Sequence, residues 1–594
     1  LNLDPKIAAI ADYWATAPVF DAKTRSEIKA LIDEKNSKEL TERFYRNLEF
    51  GTGGMRGIVG AGTARMNGYN IRKASAAFAL ELKKAFGKDG KIKIGITYDS
   101  RHFSKEFARI TAEVMAGYGI ASMITKELRP VPMLSYMVRH FGCSGGVCIT
   151  ASHNPPNYNG FKVYWKSGGQ IIPPYDEQVI SNYNAIDKYE DIKSIDYEKA
   201  KSQGFIEEVG DELDKAYFEE LKKLSLHSEG RENFKIVFTP LHGTAGKPVS
   251  EALALFGFKD VQVVPEQRLP DANFPTVKFP NPEDPNALAM AVALAKKTNA
   301  HLVLGTDPDC DRVGIVVNEG GDFWYLNGNQ IGCLLIEYML SSMKEKNLIP
   351  KNGLIIKTIV TTDLQNMIGE EYGCYVEETL TGFKWICQVI EEYETGIRKP
   401  YRQYICGGEE SYGFLAGSFV RDKDGISSCC LAAEMTAYYK SKGLKLSEVL
   451  DSLFRRHGVF HESLYTATLP GKDGAEAIKQ IMHRLRTNPP RVIDGVAVEK
   501  MRDLSVCQEF LVTPTKLEKS NDLALPRSDV LQFILADGTK ISARPSGTEP
   551  KIKFYFSVRQ PVSKDVSQAD LDQAKALCIS RTGRIEELFV ALTR

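Results

Sequence analysis

Short β-rich runs alternate with helical stretches along most of this chain, and that rhythm narrows the fold more than any other feature. Lys91-Ile-Lys-Ile-Gly-Ile-Thr97 is followed by a helical pattern over 106–118 and by Ser122-Met-Ile124. The rhythm returns at Phe234-Lys-Ile-Val-Phe-Thr239, with a helix over 248–256 and a strand at Val261-Gln-Val-Val264, and again at Gly353-Leu-Ile-Ile-Lys-Thr-Ile-Val360. Alternation of this kind reads as βαβ units around mostly parallel sheets. A chain of 594 residues also exceeds the roughly 250–300 at which one core stops growing, so several domains are required. The charged segment 187–223, helical in pattern and without a strong strand, marks the first cut. The predicted domains are 1–207, 208–324, 325–457 and 458–594: three similar α/β domains with mixed sheets, then an α+β domain. The last opens at Phe460-His-Glu-Ser-Leu-Tyr-Thr466, ends at Phe554-Tyr-Phe-Ser557, and drops the earlier alternation.

The chemistry concentrates in five segments. Gly145-Gly-Val-Cys-Ile-Thr150 reads as a buried strand, and Asn154-Pro155-Pro156 forces a turn just after it, so Ser152 lies on a strand-end loop, where α/β folds place ligands. Thr150 and Asn154 replace the glycines of an esterase elbow, which argues against acyl transfer. Asp307, Asp309 and Asp311 alternate after the apolar run His301-Leu-Val-Leu304, a spacing that lets three hard oxygen ligands converge on one Mg²⁺. An EF-hand is excluded, because Arg312 stands at the loop glycine position and Asn318 at the closing glutamate. Arg544-Pro-Ser-Gly-Thr-Glu-Pro-Lys551 combines a bidentate donor, hydroxyls and a glycine that frees backbone N–H groups for an anion. Gly407-Gly-Glu-Glu-Ser-Tyr-Gly413 offers carboxylates and a hydroxyl on a flexible loop, suited to sugar hydroxyls, and Gly51-Thr-Gly-Gly-Met-Arg-Gly57 adds Arg56. Each segment alone also has a plain reading as a polar or acidic surface turn. No Walker sequence occurs, since Gly243-Thr-Ala-Gly-Lys-Pro248 has the wrong spacing, so nucleoside triphosphate hydrolysis has no support.

Composition removes other classes. Lys+Arg and Asp+Glu are both 76, so nothing predicts a broad attraction to nucleic acid or to a membrane surface. Hydrophobic content of 43% with 26% charged residues matches a folded, water-facing protein. No apolar run approaches the roughly 18 residues of a membrane helix, and Asp4, Lys6 and Asp12 interrupt the stretch a signal peptide would need. Eleven scattered cysteines without zinc-ligand spacing predict reduced thiols and a cytoplasmic location.

Taken together and in this order, the five segments resemble the α-D-phosphohexomutase superfamily. Thr381-Gly-Phe-Lys-Trp385 and the Glu-Glu-Ser-Tyr-Gly form resemble its phosphoglucomutase-2 type. The resemblance implies four domains around a central cleft, the last similar to a TATA-binding-protein-like fold. It implies that Ser152 is the phosphorylated serine, with Asp307, Asp309, Asp311 and the phosphoserine holding Mg²⁺. It casts Lys162 as general base, Arg56 and Arg312 as active-site cations, and His153 and His242 as either catalytic or structural. Thr381, Gly382, Lys384, Glu409 and Ser411 become substrate contacts, and Arg544, Ser546, Gly547 and Thr548 the distal phosphate site. The implied reaction interconverts glucose 1-phosphate and glucose 6-phosphate through glucose 1,6-bisphosphate, with mannose or pentose phosphates as alternative substrates. A non-catalytic sugar-phosphate sensor is the reading from another class. A small-molecule partner and a monomer or weak dimer are expected. Tyr412, where enzymes accepting both mannose and glucose phosphates carry glycine, leaves sugar choice open.

Overall fold

The computed structural model describes residues 3–51, 53–88, 90–469, 471–546 and 551–593. Leu1–Leu326, Cys387–Ile397 and Gly413–Tyr438 make one compact unit, and Asn327–Ile386, Arg398–Tyr412 and Tyr439–Arg594 a second.

The first unit holds two sheets of related design. Strands β1 (Gly54–Ile58), β2 (Lys93–Tyr98), β3 (Ala121–Thr125), β4 (Gly145–Ile149), β5 (Tyr158–Trp165) and β6 (Ile206–Val209) run in the order β1-β5-β4-β2-β3-β6. β2, β3, β4 and β6 are parallel, while β5 returns antiparallel beside β4. The second sheet, β7 (Lys235–Thr239), β8 (Asp260–Val263), β9 (Leu302–Thr306), β10 (Val313–Glu319) and β11 (Asp322–Leu326), runs β11-β10-β9-β7-β8. Its parallel trio is β8-β7-β9, and β10 returns antiparallel beside β9. β4-β5 and β9-β10 are therefore equivalent hairpins. The helix Val131–His140 packs against β2 and β4, and Ser104–Gly117 packs against β2 and β3. Their apolar faces, with Ile94, Ile96, Val147 and Ile149 at or below 1% exposure, account for the core of the first sheet. Before that sheet, the helices Pro5–Thr16, Ala22–Asp33 and Ser37–Phe44 build a small core of their own on Trp14, whose ring stacks on Phe20 at 4.3 Å.

The second unit contains the parallel strands β12 (Gly353–Thr358), β13 (Tyr375–Thr379) and β14 (Gln403–Glu409), with β12 between the other two. β15 (Gly413–Ala416), three residues further along the chain, belongs to the first unit. The C-terminal sheet is antiparallel: β16 (Val459–Thr468), β17 (Val492–Ile493), β18 (Val496–Asp503), β19 (Gln508–Val512), β20 (Leu517–Asp522), β21 (Leu531–Leu535), β22 (Lys540–Pro545) and β23 (Lys551–Gln560). Its order is β16-β23-β22-β21-β18-β19-β20, with β17 on β18, and the helix Gln568–Val590 packs on β16 and β23. Three α/β domains with mixed sheets and a C-terminal antiparallel domain are thus the architecture.

The segment 187–223 does contain a strand. β6 buries only Ile206 and Val209, with Glu207 and Glu208 between them, too short and too charged an alternation to stand out. The cuts at 207/208 and 324/325 fall inside β6 and β11, so the first two sheets end at Val209 and Leu326.

Gly407 sits just past a register shift in β14, where an added Cβ would lie 1.9 Å from the Ile356 carbonyl oxygen. Gly407→Ala is expected to destabilise the second unit by about 1–3 kcal/mol or more through overpacking. Gly443→Ala, at φ +74° with nothing within 4 Å, should cost only about 1 kcal/mol through its backbone. Thermal midpoints of the two variants check the order.

Candidate active site

The two equivalent hairpin turns of the first unit meet. Ser152, in the β4-β5 turn, is 2% exposed at φ 50°, and its hydroxyl donates to Asp307 Oδ2 at 2.6 Å across the gap to the β9-β10 turn. Thr150 Oγ1 accepts the Ser152 N–H at 2.9 Å and donates to Asp309 Oδ2 at 3.2 Å. β3 and β4 flank β2 on opposite sides, so the loops after β2 and β4 diverge at the strands' C-terminal ends, where such sheets open a crevice.

Asp307, Asp309 and Asp311 are at most 3% exposed, and one oxygen from each lies within 4.8 Å of the others. The loop backbone is held from outside. Thr244 N–H and Oγ1 both donate to the Pro308 carbonyl at 2.8 Å, Val131 N–H to that of Asp309 at 3.0 Å, and Gly425 N–H to that of Cys310 at 3.1 Å. With those carbonyls engaged, the carboxylates are what the loop presents inward. Asp307 Oδ1 accepts the N–H groups of Asp311 and Arg312, both at 3.1 Å. Asp309 Oδ1 and Asp311 Oδ1 are buried without a hydrogen-bond partner. Two orphaned carboxylate oxygens beside a third acid form a donor set for a hard divalent cation, so the residues fit Mg²⁺.

Cations answer this charge. Lys162 Nζ lies 2.7 Å from Asp309 Oδ2 and 3.2 Å from Asp311 Oδ2, and Lys423 Nζ is 3.2 Å from Asp311 Oδ2. Burial, then the charges of Asp309 and Asp311, push the Asp307 carboxyl well up. Burial would raise Asp311 too, but Lys423, Lys162 and Arg312 hold it well below the usual carboxylate range. Burial disfavours the Lys162 ammonium, yet Asp309 and Asp311 raise its pKa overall, so these ion pairs hold the side chain as an ammonium. His153 Nδ1 lies 3.2 Å from Ser152 Oγ, and burial with the charges of Arg312 and Arg56 pushes its pKa down to about 3. It is a neutral imidazole. Arg56, exposed at the centre of β1, acts on this cluster through its charge, and Arg312 pairs with Glu283.

Two charged residues of the site escaped the sequence reading. The Arg101 guanidinium donates to the carbonyls of Ser152, Asn154, Pro155 and Tyr158, clasping the serine turn, while its face lies 5.0 Å from the Phe274 ring. The only local signal was an arginine just after the buried strand β2. Lys423 lay in Arg421-Asp-Lys-Asp-Gly425, a run of alternating charge opening the helix Gly425–Ser441. His242 Nε2 bonds Thr276 Oγ1 at 2.8 Å, within the loops of the second sheet.

The second unit carries the remaining predicted residues. Glu409 is no loop residue: it ends β14, 8% exposed, and its Oε1 accepts the Gly382 N–H at 2.8 Å. Thr381 Oγ1 is buried without a hydrogen-bond partner, and Lys384 Nζ lies over the Trp385 ring at 4.9 Å. The half-buried Ser411 lies in the turn after β14. Arg544 is in β22 and hydrogen-bonds Tyr555, whose phenol is pushed up to about 12 by burial and by Glu410, with Glu409 adding to it. Ser546 N–H donates to the Lys551 carbonyl at 2.8 Å. Gly547 and Thr548 lie outside the described residues.

Known proteins match this chain in sequence and in fold. The family described as phosphoglucomutase/phosphomannomutase, alpha/beta/alpha domain I matches residues 47–190; domain II matches 215–321 and domain III 327–457. A protein named phosphoglucomutase from Staphylococcus epidermidis is 35% identical over 544 residues, 91% of this chain and 95% of its own length. One from Staphylococcus aureus is 34% identical over 545 residues, with the same coverage of both chains. Among solved structures, the open form of the Paramecium phosphoprotein pp63/parafusin (phosphoglucomutase) has a TM-score of 0.64 at 19% identity, covering 91% of this chain and 96% of that one. A phosphoglucomutase/phosphomannomutase family protein from Burkholderia thailandensis has a TM-score of 0.61 at 19% identity, covering 90% and 96%. These two share the fold. With three consecutive domain descriptions and relatives matched over nearly their whole length, the chain belongs to the phosphoglucomutase/phosphomannomutase family, whose members are phosphomutases of the isomerase class.

Proposed function

We propose that this protein is a phosphoglucomutase, interconverting glucose 1-phosphate and glucose 6-phosphate through phosphoserine 152 and a glucose 1,6-bisphosphate intermediate. The observation that carries the reading is the 2.6 Å bond from the Ser152 hydroxyl to Asp307, beside the two unpartnered oxygens of Asp309 and Asp311. Asp307, Asp309 and Asp311 would hold Mg²⁺ together with the phosphoserine. When bound, the ion supplies positive charge against the transferring phosphoryl group.

The chain's own residues do the rest. Arg101 fixes the serine turn so that Oγ points at the acids. In the forward half-reaction the Ser152 oxygen–phosphorus bond breaks as a sugar hydroxyl bonds the same phosphorus, and the hydroxyl proton leaves. In the return half-reaction the other phosphate of the bisphosphate goes back to Ser152. Lys162 and Lys423 are buried ammonium groups beside this centre: one of them gives its proton to the departing Ser152 oxygen and, as the amine, takes the proton of the sugar hydroxyl, while Arg56 and Arg312 balance phosphate charge. Neutral His153 acts as a hydrogen-bonding partner of the serine. In the second unit, Glu409, Ser411, Thr381, Gly382 and Lys384 are proposed sugar-side contacts, and Arg544, Ser546, Gly547 and Thr548 the site for the non-reacting phosphate. We place the domain cuts after Val209, Leu326 and His457. We also infer a monomer or weak dimer, and a cytoplasmic location supported by eleven free thiols, ten of them buried. Among the described residues no helix is long and apolar enough to cross a membrane.

Intact mass spectrometry should find a population about 80 Da heavier, one phosphoryl group, and Ser152→Ala should remove both that peak and turnover. Retained turnover would overturn the assignment. Ranking kcat/KM on glucose, mannose and ribose 1-phosphates should put glucose first. Lys162→Met should lower kcat by about 10²–10⁴-fold, the range for loss of proton transfer, with the Ser152 phosphate still detectable by mass.

The imidazole of His153 takes its proton near 6.5 when unfolded and about 3 when folded. Between those values the unfolded chain binds more protons, so this residue's contribution to stability is complete above 6.5 and is lost as the pH falls. Histidine-labelled NMR should show one resonance of the nine, removed by His153→Gln, that does not titrate between pH 5 and 8.

A further inference from the structure

Apart from the serine and acidic turns, the first unit carries a half-open cavity of about 590 Å³, within the roughly 300–1,000 Å³ of small-ligand pockets. It opens at the C-terminal ends of β2 and β3: Tyr98 closes β2, and Lys126 directly follows β3. Such strand ends are where open α/β sheets take ligands. The charge around it is one-sided. Lys105, Lys126 and Arg268 line it, all exposed, and among the described residues none of them forms an ion pair. Lys247 has Asp214 at 3.9 Å, and Arg129 is paired with Asp214 at 2.8 Å and with Glu127, the single acid on the lining, at 3.5 Å. The start of the helix Gly246–Leu255, without a side-chain cap, adds its positive end. Between these cations the wall is apolar, and Leu269 stands there 67% exposed.

Both walls grip the acidic turn. Thr244, on one wall, holds the Pro308 carbonyl through its N–H and Oγ1, both at 2.8 Å. Against the same residue, Gly243 leaves no room for a side chain, since a Cβ would come 2.3 Å from Pro308 Cα. The other wall, 126–129, runs within two residues into Val131, whose N–H donates to the Asp309 carbonyl at 3.0 Å. A ligand bridging the walls would bias the spacing of the segments that set the acids.

We propose that this cavity is a second, regulatory site for a phosphate ester carrying a flat ring whose faces are apolar, of the nucleoside monophosphate class, and that its occupancy is coupled to cation binding at Asp307, Asp309 and Asp311. Phosphate answers the three unpaired cations, and the ring body answers Leu269 and the apolar wall. The binding half stands apart from the mutase reading; the coupling half rests on it.

Titration calorimetry on the full chain with adenosine monophosphate, adenosine and inorganic phosphate tests both halves without needing turnover. The monophosphate should bind saturably, at least about tenfold tighter than either fragment. The double variant Arg268→Glu/Leu269→Glu, altered only at exposed positions, should weaken it at least about tenfold, while Arg544→Ala should leave it unchanged. Saturating Mg²⁺ should shift its affinity at least about threefold, in the range of ordinary site coupling, and Asp309→Asn should abolish that shift. No binding at 1 mM, or binding lost in Arg544→Ala and kept in the double variant, would overturn the site. Binding indifferent to Mg²⁺ would overturn the coupling.

Discussion

Three carboxylates packed into one hairpin turn, each nearly free of solvent, are the constraint around which the first unit is built. Burying a carboxylate carries an effective penalty of several kcal/mol, and placing three within 4.8 Å adds their mutual repulsion. Two buried ammonium groups, Lys162 and Lys423, offset part of this charge, and Asp307 spends one oxygen on backbone N–H groups. Left to itself the turn would relieve the repulsion by swinging its acids outward. Thr244, Val131 and Gly425, from three separate segments, prevent that by holding the carbonyls between the acids. The site is therefore a property of the surrounding fold as much as of the acidic sequence.

A repeated topology explains why the chemistry lies where it does. In the first two sheets a parallel trio feeds a strand that returns antiparallel, and the turn between them carries Ser152 in one case and the three acids in the other. After β14 the turn carries Glu410 and Ser411, with Glu409 at the end of the strand itself. In our reading, one scaffold element is used for phosphoryl attachment, for cation binding and for sugar recognition.

Residues whose chemistry is local were legible in the sequence. Three aspartates at alternate positions after an apolar strand stand out through their spacing, whereas the serine between a strand and a diproline turn stands out only with the other segments beside it. Arg101, Thr244 and Lys423 did not, because their roles come from partners at distant chain positions: Arg101 to the carbonyls of 152–158, Thr244 to Pro308, Lys423 to Asp311. Glu409 was placed on a flexible loop because neighbouring glycines read as loop. The structure uses Gly407 to bring β14 against Ile356 and ends the strand on Glu409 itself. The protonation states of His153 and Lys162 are beyond any motif, since they depend on burial and on charges brought in by folding.

The claim that Ser152 and the three aspartates make one cation centre is tested most directly by anomalous diffraction from a crystal soaked in Mn²⁺, a hard divalent stand-in for Mg²⁺ with a usable signal. The account predicts one strong peak at bonding distance, about 2.0–2.3 Å by analogy with Mg²⁺, from oxygens of Asp307, Asp309 and Asp311 and from the Ser152 side chain or its phosphate. A peak elsewhere, or none at the acids while the crystal binds Mn²⁺ at another place, would contradict it.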